Sequence, residues 1–473
     1  MVFSSILFLF YFLPAFLCVY FLIDKRYKNL TILLFSIFFY AWGAPKFIFV
    51  ILLTTCLDFY LVKWMDQVQN SRRKRILLIA SLSLNLGLLF YFKYFNFFID
   101  NANHLLKSVG VPGATWPKIL LPIGISFYTF ESITYVVDVY RKVHKPLSSF
   151  LNYQLYILFF PKLIAGPVVR YHDMAEQLEN RSHDNQLDNR LTGFYRFSIG
   201  LAKKMILANQ LGAQADYIFA QDYSTLGSYA AWFGILAYTF QIYFDFSGYS
   251  DMAIGLARMI GFKLPENFNN PYIAQSITEF WRRWHMTLGA WMKNYLYIPL
   301  GGNRLGNPRT YMNLWLVFIA SGFWHGASWS FIFWGAYHGF FLVMERLFLI
   351  RWLTVIGSFL RMTLTFTFVA IGWIFFRADS LTLGVAYFKQ LGAFQTPTNL
   401  SFSTEFYLIL CLAVVFSFLT FSKLGLRIHD LIFSEKLRTK NHLLVFSLVF
   451  PLFLISVAKI AGVGFNPFIY FRF

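Results

Sequence analysis

The sequence predicts an all-α polytopic integral membrane protein, and three observations carry that prediction. Apolar runs of roughly 20 residues, the length that crosses the hydrocarbon core as a helix, recur along the 473-residue chain. Of its residues 58% are hydrophobic and only 13% charged, and the mean hydropathy is +0.53, too apolar for the surface of a soluble protein. No alternating pattern of membrane β-strands appears, so helices are left to satisfy the backbone in lipid. No long polar block interrupts the runs. The expectation is therefore one membrane domain, with N-terminal spans in 1–117, a core in 118–345 and C-terminal spans in 346–473.

The first apolar run, 2–23, lacks a basic leader and a small-residue cleavage site and is expected to be a retained span. Further spans are expected at 29–42, 47–64, 76–99, 119–140 and 150–165, then at 193–211 and 229–246. The runs 312–322 and 328–344 are interrupted, and 359–376, 406–424 and 443–461 complete the series. Several are short, which predicts about eleven crossings with some segments re-entrant or interfacial. Basic clusters at 24–28, 71–75, 141–145 and 422–442 place those loops in the cytoplasm, with 100–118, 378–404 and both termini outside.

The formal net charge of +19 is spread between apolar runs. It fits an anionic membrane surface better than nucleic acid. Cys18, Cys56 and Cys411 are isolated in apolar runs and offer neither a disulfide framework nor metal-ligand spacing.

Between Arg258 and Thr310 the pattern changes. "EFWRRWHMTLGAWMKNYLYIPLGGNR" (Glu279–Arg304) is too polar to cross lipid freely and too aromatic for an ordinary loop. Two readings stand side by side. Arg282, Arg283, Lys293, Asn303 and Arg304 could meet the phosphates of a nucleotide-bearing ligand whose base stacks on rings, or Arg and Trp could anchor interfacial helices among headgroups.

His325 in "SGFWHGASW" is an ionisable residue at membrane depth, a functional hypothesis by default. Gly322 and Gly326 bracket it and predict a helix break, and Trp329 at i+4 would cover the same face. A desolvated, neutral imidazole there can accept a proton from an attacking hydroxyl. A packed structural histidine is the alternative, and it suits His338 better. Asp245 and Asp251 are expected to cap a helix break at Ser247–Gly248. His285 and His325 lack a carboxylate or cysteine at ligand spacing, so no metal site is expected. No phosphate loop, dinucleotide fingerprint or nucleophile elbow is present.

These motifs together resemble the membrane-bound O-acyltransferase (MBOAT) family, specifically its bacterial branch of polysaccharide O-acetyltransferases acting on alginate or peptidoglycan. The resemblance runs nearly end to end. It is carried by "FPKLIAGPVVRY" (160–171), "FDFSGYSDMAIG" (244–255), "ENFNNPY" (266–272), the 280–304 segment, "FWHGASW" (323–329) and "NPFIYFRF" (466–473).

The resemblance implies helices around a central cavity, His325 as the catalytic histidine and His285 as a supporting one. Relatives commonly carry Arg-Asp where this chain has Lys293-Asn294, so Asn294 would serve as an amide in place of a carboxylate. The implied donor is acetyl-CoA, a substrate and not a bound cofactor. The implied outcome is O-acetylation of an envelope polysaccharide outside the bacterial inner membrane. Tyr470 is the implied acyl acceptor, deprotonated by His325, and an SGNH-type periplasmic transferase the implied partner. D-alanyl transfer within the same family, a transporter or flippase, and a non-catalytic scaffold are the rival readings.

Overall fold

The computed structural model describes residues 1–181, 186–394, 400–434, 437–462 and 468–469. Among them every regular element is helical and no strand occurs. By contact the chain divides into two compact units, 7–182 and 183–473, with residues 2–6 belonging to the second.

The first unit contains α1 (Leu13–Leu22), α2 (Lys28–Gly43), α3 (Ile48–Gln67) and α4 (Ser71–Leu89). After a π-turn come α5 (Phe95–Ser108), α6 (Ile125–Tyr140), α7 (Phe150–Leu158) and α8 (Tyr171–Glu179). Its polar interior is paired. Asp58 accepts from Ser81 at 2.5 Å and from Asn85 at 2.7 Å, and Glu131 on α6 pairs with Lys162 of "FPKLIAGP". The expected span at 150–165 ends as helix at Leu158. The chain beyond it is buried irregular backbone, which is tolerated where protein covers it.

The second unit opens with α9 (Leu187–Ala202), which runs through a π-turn into α10 (Asn209–Phe219) and is followed by α11 (Ser228–Met259). No break occurs at Ser247–Gly248, which corrects the capping expectation for Asp245 and Asp251. Gly248 is there for packing: a Cβ on Gly200 would lie 2.4 Å from the Gly248 carbonyl oxygen, and one on Gly255 would lie 2.5 Å from that of Gly193. The helices run antiparallel with backbones in contact, as small residues permit in membranes.

Then follow α12 (Ile277–Arg283), α13 (Met286–Trp291), α14 (Asn307–His325), α15 (Trp329–Met344), α16 (Ile350–Val355) and α17 (Ser358–Arg377). The unit continues with α18 (Leu381–Gln390), α19 (Thr404–Phe418), α20 (Lys423–Ile432) and α21 (Thr439–Gly462). Among the described residues five helical segments are long and apolar enough to cross a membrane by length and composition: 48–67, 71–108, 358–377, 404–421 and 439–462. Others expected as crossings are shorter or carry polar residues that their neighbours bury, as α6 does with Glu131 and Asp138.

Candidate active site

A seven-residue helix is marginal by itself, so α12 needs its ends fixed. Ser276 caps it by accepting from Glu279 N, and Glu279 reaches back to Gln275 N at 2.9 Å. The buried Glu345 adds a negative charge at the same end, accepting from Ile277 N, Thr278 N and the Thr278 hydroxyl. A carboxylate at a helix N-terminus is favourable both for its hydrogen bonds and for the helix dipole.

His285 follows α12 with φ +45°, in the left-handed region, which costs a non-glycine residue about 1–2 kcal/mol. The loop before α12 supports this conformation. Asn269 N donates to Arg283 O at 2.9 Å, and Met286 N donates to Asn267 O at 2.9 Å. The Asn267 side chain lies against the imidazole. Its Oδ1 accepts from His285 Nδ1 at 2.9 Å and from the Thr287 hydroxyl at 2.8 Å, and its Nδ2 donates to Ser250 Oγ at 3.0 Å.

This network assigns the tautomer, with the proton on Nδ1 and the lone pair on Nε2. Nε2 is buried, and no hydrogen-bond partner reaches it among the described residues. Burial pushes the pKa of the ring down to about 3, so His285 is neutral at physiological pH.

His325 is the last residue of α14, and Gly326 is its C-cap. The break therefore falls where the glycine spacing places it. Gly322, by contrast, stays helical and serves packing, since a Cβ there would lie 2.2 Å from Phe331 O on α15. His325 is buried, with Trp324, Trp334 and Phe376 packed around its ring at centroid distances of 4.9, 5.3 and 5.1 Å. Trp324 also contacts His285, at 6.4 Å. The two motif histidines, 40 positions apart in sequence, thus lie against one indole.

Trp329 does not continue α14. It begins α15 beyond the break and is 56% exposed, so the i+4 stacking expected on a continuous helix does not form. His338 is fully buried among Trp281, Trp334 and Tyr337. No hydrogen-bond partner reaches either ring nitrogen of His338 among the described residues.

The expected donor-binding residues are spread over the surface of this region. Arg282, Lys293, Asn303 and Arg304 are exposed. Arg283 bonds Glu279 at 2.9 Å and donates to Asn269 O at 3.1 Å. Asn294 is half-buried in the π-turn that follows α13. Tyr470 lies outside the described residues.

A cavity of about 810 Å³ opens beside the histidine support, lined by Asn267, Met286, Ser247, Thr420, Arg196 and Lys203 among others. Its charges are largely paired: Arg196 bridges Asp251 and Glu266, and Lys203 holds Asp251 at 2.6 Å. The Ser247 and Thr420 hydroxyls are buried without a described partner. Sequence reasoning assigned Asn267 no role, although "ENFNNPY" held the signal: three asparagines between two helices of a membrane protein.

The region thus sets two buried imidazoles against one indole, with a cavity beside the Asn267 support. Residues 133–383 match the model of the MBOAT, membrane-bound O-acyltransferase family. A probable alginate O-acetylase AlgI from Pseudomonas aeruginosa is 45% identical over 84% of this chain and 76% of its own length. Another, from Pseudomonas putida, is 40% identical over the full length of both chains. A peptidoglycan O-acetyltransferase from Helicobacter pylori is 38% identical, covering 83% of this chain and 80% of its own.

The chain belongs to the membrane-bound O-acyltransferase family. Within it the chain is an enzyme of the AlgI-like O-acetyltransferase kind.

Proposed function

We propose that this protein takes an acetyl group from acetyl-CoA on the cytoplasmic side of a bacterial inner membrane and passes it outward for O-acetylation of an envelope polysaccharide. The observation that carries this reading is the convergence of His285 and His325 on Trp324. The relatives' names, which cover alginate and peptidoglycan, support a polysaccharide as the final acceptor.

The donor's uncharged pantetheine arm suits the cavity beside Asn267, whose charges are paired and whose Ser247 and Thr420 hydroxyls can meet amides. Its phosphates would meet Arg282, Lys293 and Arg304, with Asn303 alongside. The Arg283–Asn269 bond ties this basic strip to the cavity wall.

In the reaction His325 accepts the proton of the attacking hydroxyl as the oxygen bonds to the acetyl carbonyl carbon. The C–S bond then breaks, and the thiolate takes the proton from the imidazolium and leaves as CoA. His285, held by Asn267, keeps its Nε2 lone pair available to a donor or acceptor N–H or O–H. Asn294 contributes an orienting amide.

Tyr470 is the hydroxyl that attacks, and acetyl-Tyr470 hands the group to an SGNH-type periplasmic transferase. Both chain termini are external in this arrangement.

The test uses the protein in lipid nanodiscs with radiolabelled acetyl-CoA, following free CoA and protein-bound label. Wild type should release CoA and take label, His325→Ala neither, and Tyr470→Phe should take no tail label. Acetyl-CoA left intact by wild type, even with a periplasmic transferase and polymer supplied, would refute the donor assignment.

A further inference from the structure

Asp245 sits in the unbroken interior of α11, so its carboxylate needs a purpose other than capping. Its Oδ2 accepts the backbone N–H of Ile469 at 2.7 Å, across 224 positions of sequence. Its Oδ1 meets the Lys204 ammonium at 2.5 Å, and that ammonium lies 6.0 Å from the centroid of the Phe468 ring. Phe468 packs on Tyr249 at 4.8 Å and on Phe246 at 6.0 Å, and Tyr249 stacks in turn on Phe3 at 4.7 Å. Asp245, Lys204, Phe468 and Ile469 are all buried.

A bond to a main-chain amide fixes where the backbone runs, whatever side chain it carries. Two residues of the C-terminal segment are thus held three ways: by a charge-assisted hydrogen bond, by a cation over a ring, and by aromatic packing. Ile469 directly precedes Tyr470 in the sequence.

We propose that Asp245 and Lys204 form a clamp on residues 468–469 that presents Tyr470 for acyl transfer, an inference resting on the carrier reading of Tyr470 above. Asp245 is a positioning residue, since it grips the main chain and not the acetyl group. Its contribution is orientation. A confined hydroxyl reacts as though at high local concentration, whereas a free tail dilutes it.

Two double variants in nanodiscs test this. Lys204→Met with Asp245→Ala removes the acceptor without stranding a buried ammonium. Lys204→Met with Asp245→Asn keeps an oxygen that can still accept from Ile469 N–H. Hydrogen–deuterium exchange of the peptide containing Ile469 reports the clamp, and mass spectrometry of acetyl-Tyr470 after addition of acetyl-CoA reports the transfer.

The alanine double should exchange Ile469 about tenfold faster and acetylate Tyr470 about tenfold slower, with the asparagine double within about threefold of wild type. Unchanged exchange in the alanine double would overturn the clamp. Equal loss of labelling in both doubles would overturn the hydrogen bond's role, leaving only burial. Wild type that never labels Tyr470, while the alanine double still exchanges faster, would refute the carrier reading and uphold the clamp.

Discussion

His285 and His325 share the Trp324 indole and little else. His285 is oriented by polar contacts: a left-handed backbone, an amide partner on Nδ1 and a hydroxyl sharing that amide oxygen. His325 is held at the end of a helix by three aromatic rings. Polar contacts fix which nitrogen carries the proton. Ring packing excludes water and sets the direction of the ring, but does not by itself select a tautomer. On the proposed mechanism His285 holds one protonation pattern while His325 gains and loses a proton.

The most direct way to break the comparison is to remove each ring. His325→Ala should lower CoA release by about 10²–10⁴-fold, the range of a lost general base. Should His285→Ala instead cause the greater loss, the two roles would be reversed.

Asn267→Leu leaves the ring of His285 in place and removes its partner. The expected loss is about 10–100-fold, by analogy with other orienting residues behind a functional histidine. Asn267→Asp sharpens the test, because it keeps the acceptor and adds a negative charge beside Nδ1. A carboxylate favours the imidazolium and raises the histidine pKa, so the acidic limb of the pH–rate profile should move to higher pH. A profile that coincides with wild type would mean His285 does not titrate in any rate-limiting step.

Trp334→Phe trims the packing on His325 and should cost about 1–3 kcal/mol of stability, less than full truncation of a buried aromatic, with a several-fold fall in CoA release. Arg304→Ala should have the smallest effect, a rise of a few-fold in KM for acetyl-CoA that shrinks as salt is added. A fall in kcat with unchanged KM would remove Arg304 from donor binding.

Much of this was legible in the residues. Glycine spacing located the helix break at Gly326, and the family motifs pointed to both histidines. Other features depend on contacts between distant positions. "FSGYSD" reads as a break because serine, glycine and aspartate favour one locally, yet α11 continues since Gly248 meets the backbone of Gly200 and both aspartates find cations on α9 and its π-turn. Asn267 looked like an ordinary loop residue because its partner, His285, lies beyond an intervening helix. The partner of Asp245 is a main-chain amide, which no side-chain pattern can reveal. The number of crossings was hard to read for a related reason: helices buried by neighbours need not be twenty apolar residues long.

The glycine seam between α9 and α11 also bears on how the protein is made. Arg196, Lys203 and Lys204 leave the ribosome well before the carboxylates that neutralise them, Arg196 preceding Asp251 by 55 positions and Lys203 by 48. Cations in a lone helix are costly in hydrocarbon. An α9 that entered lipid alone would carry these cations unpaired, so entry of α9 and α11 as a neutralised pair is the less costly route.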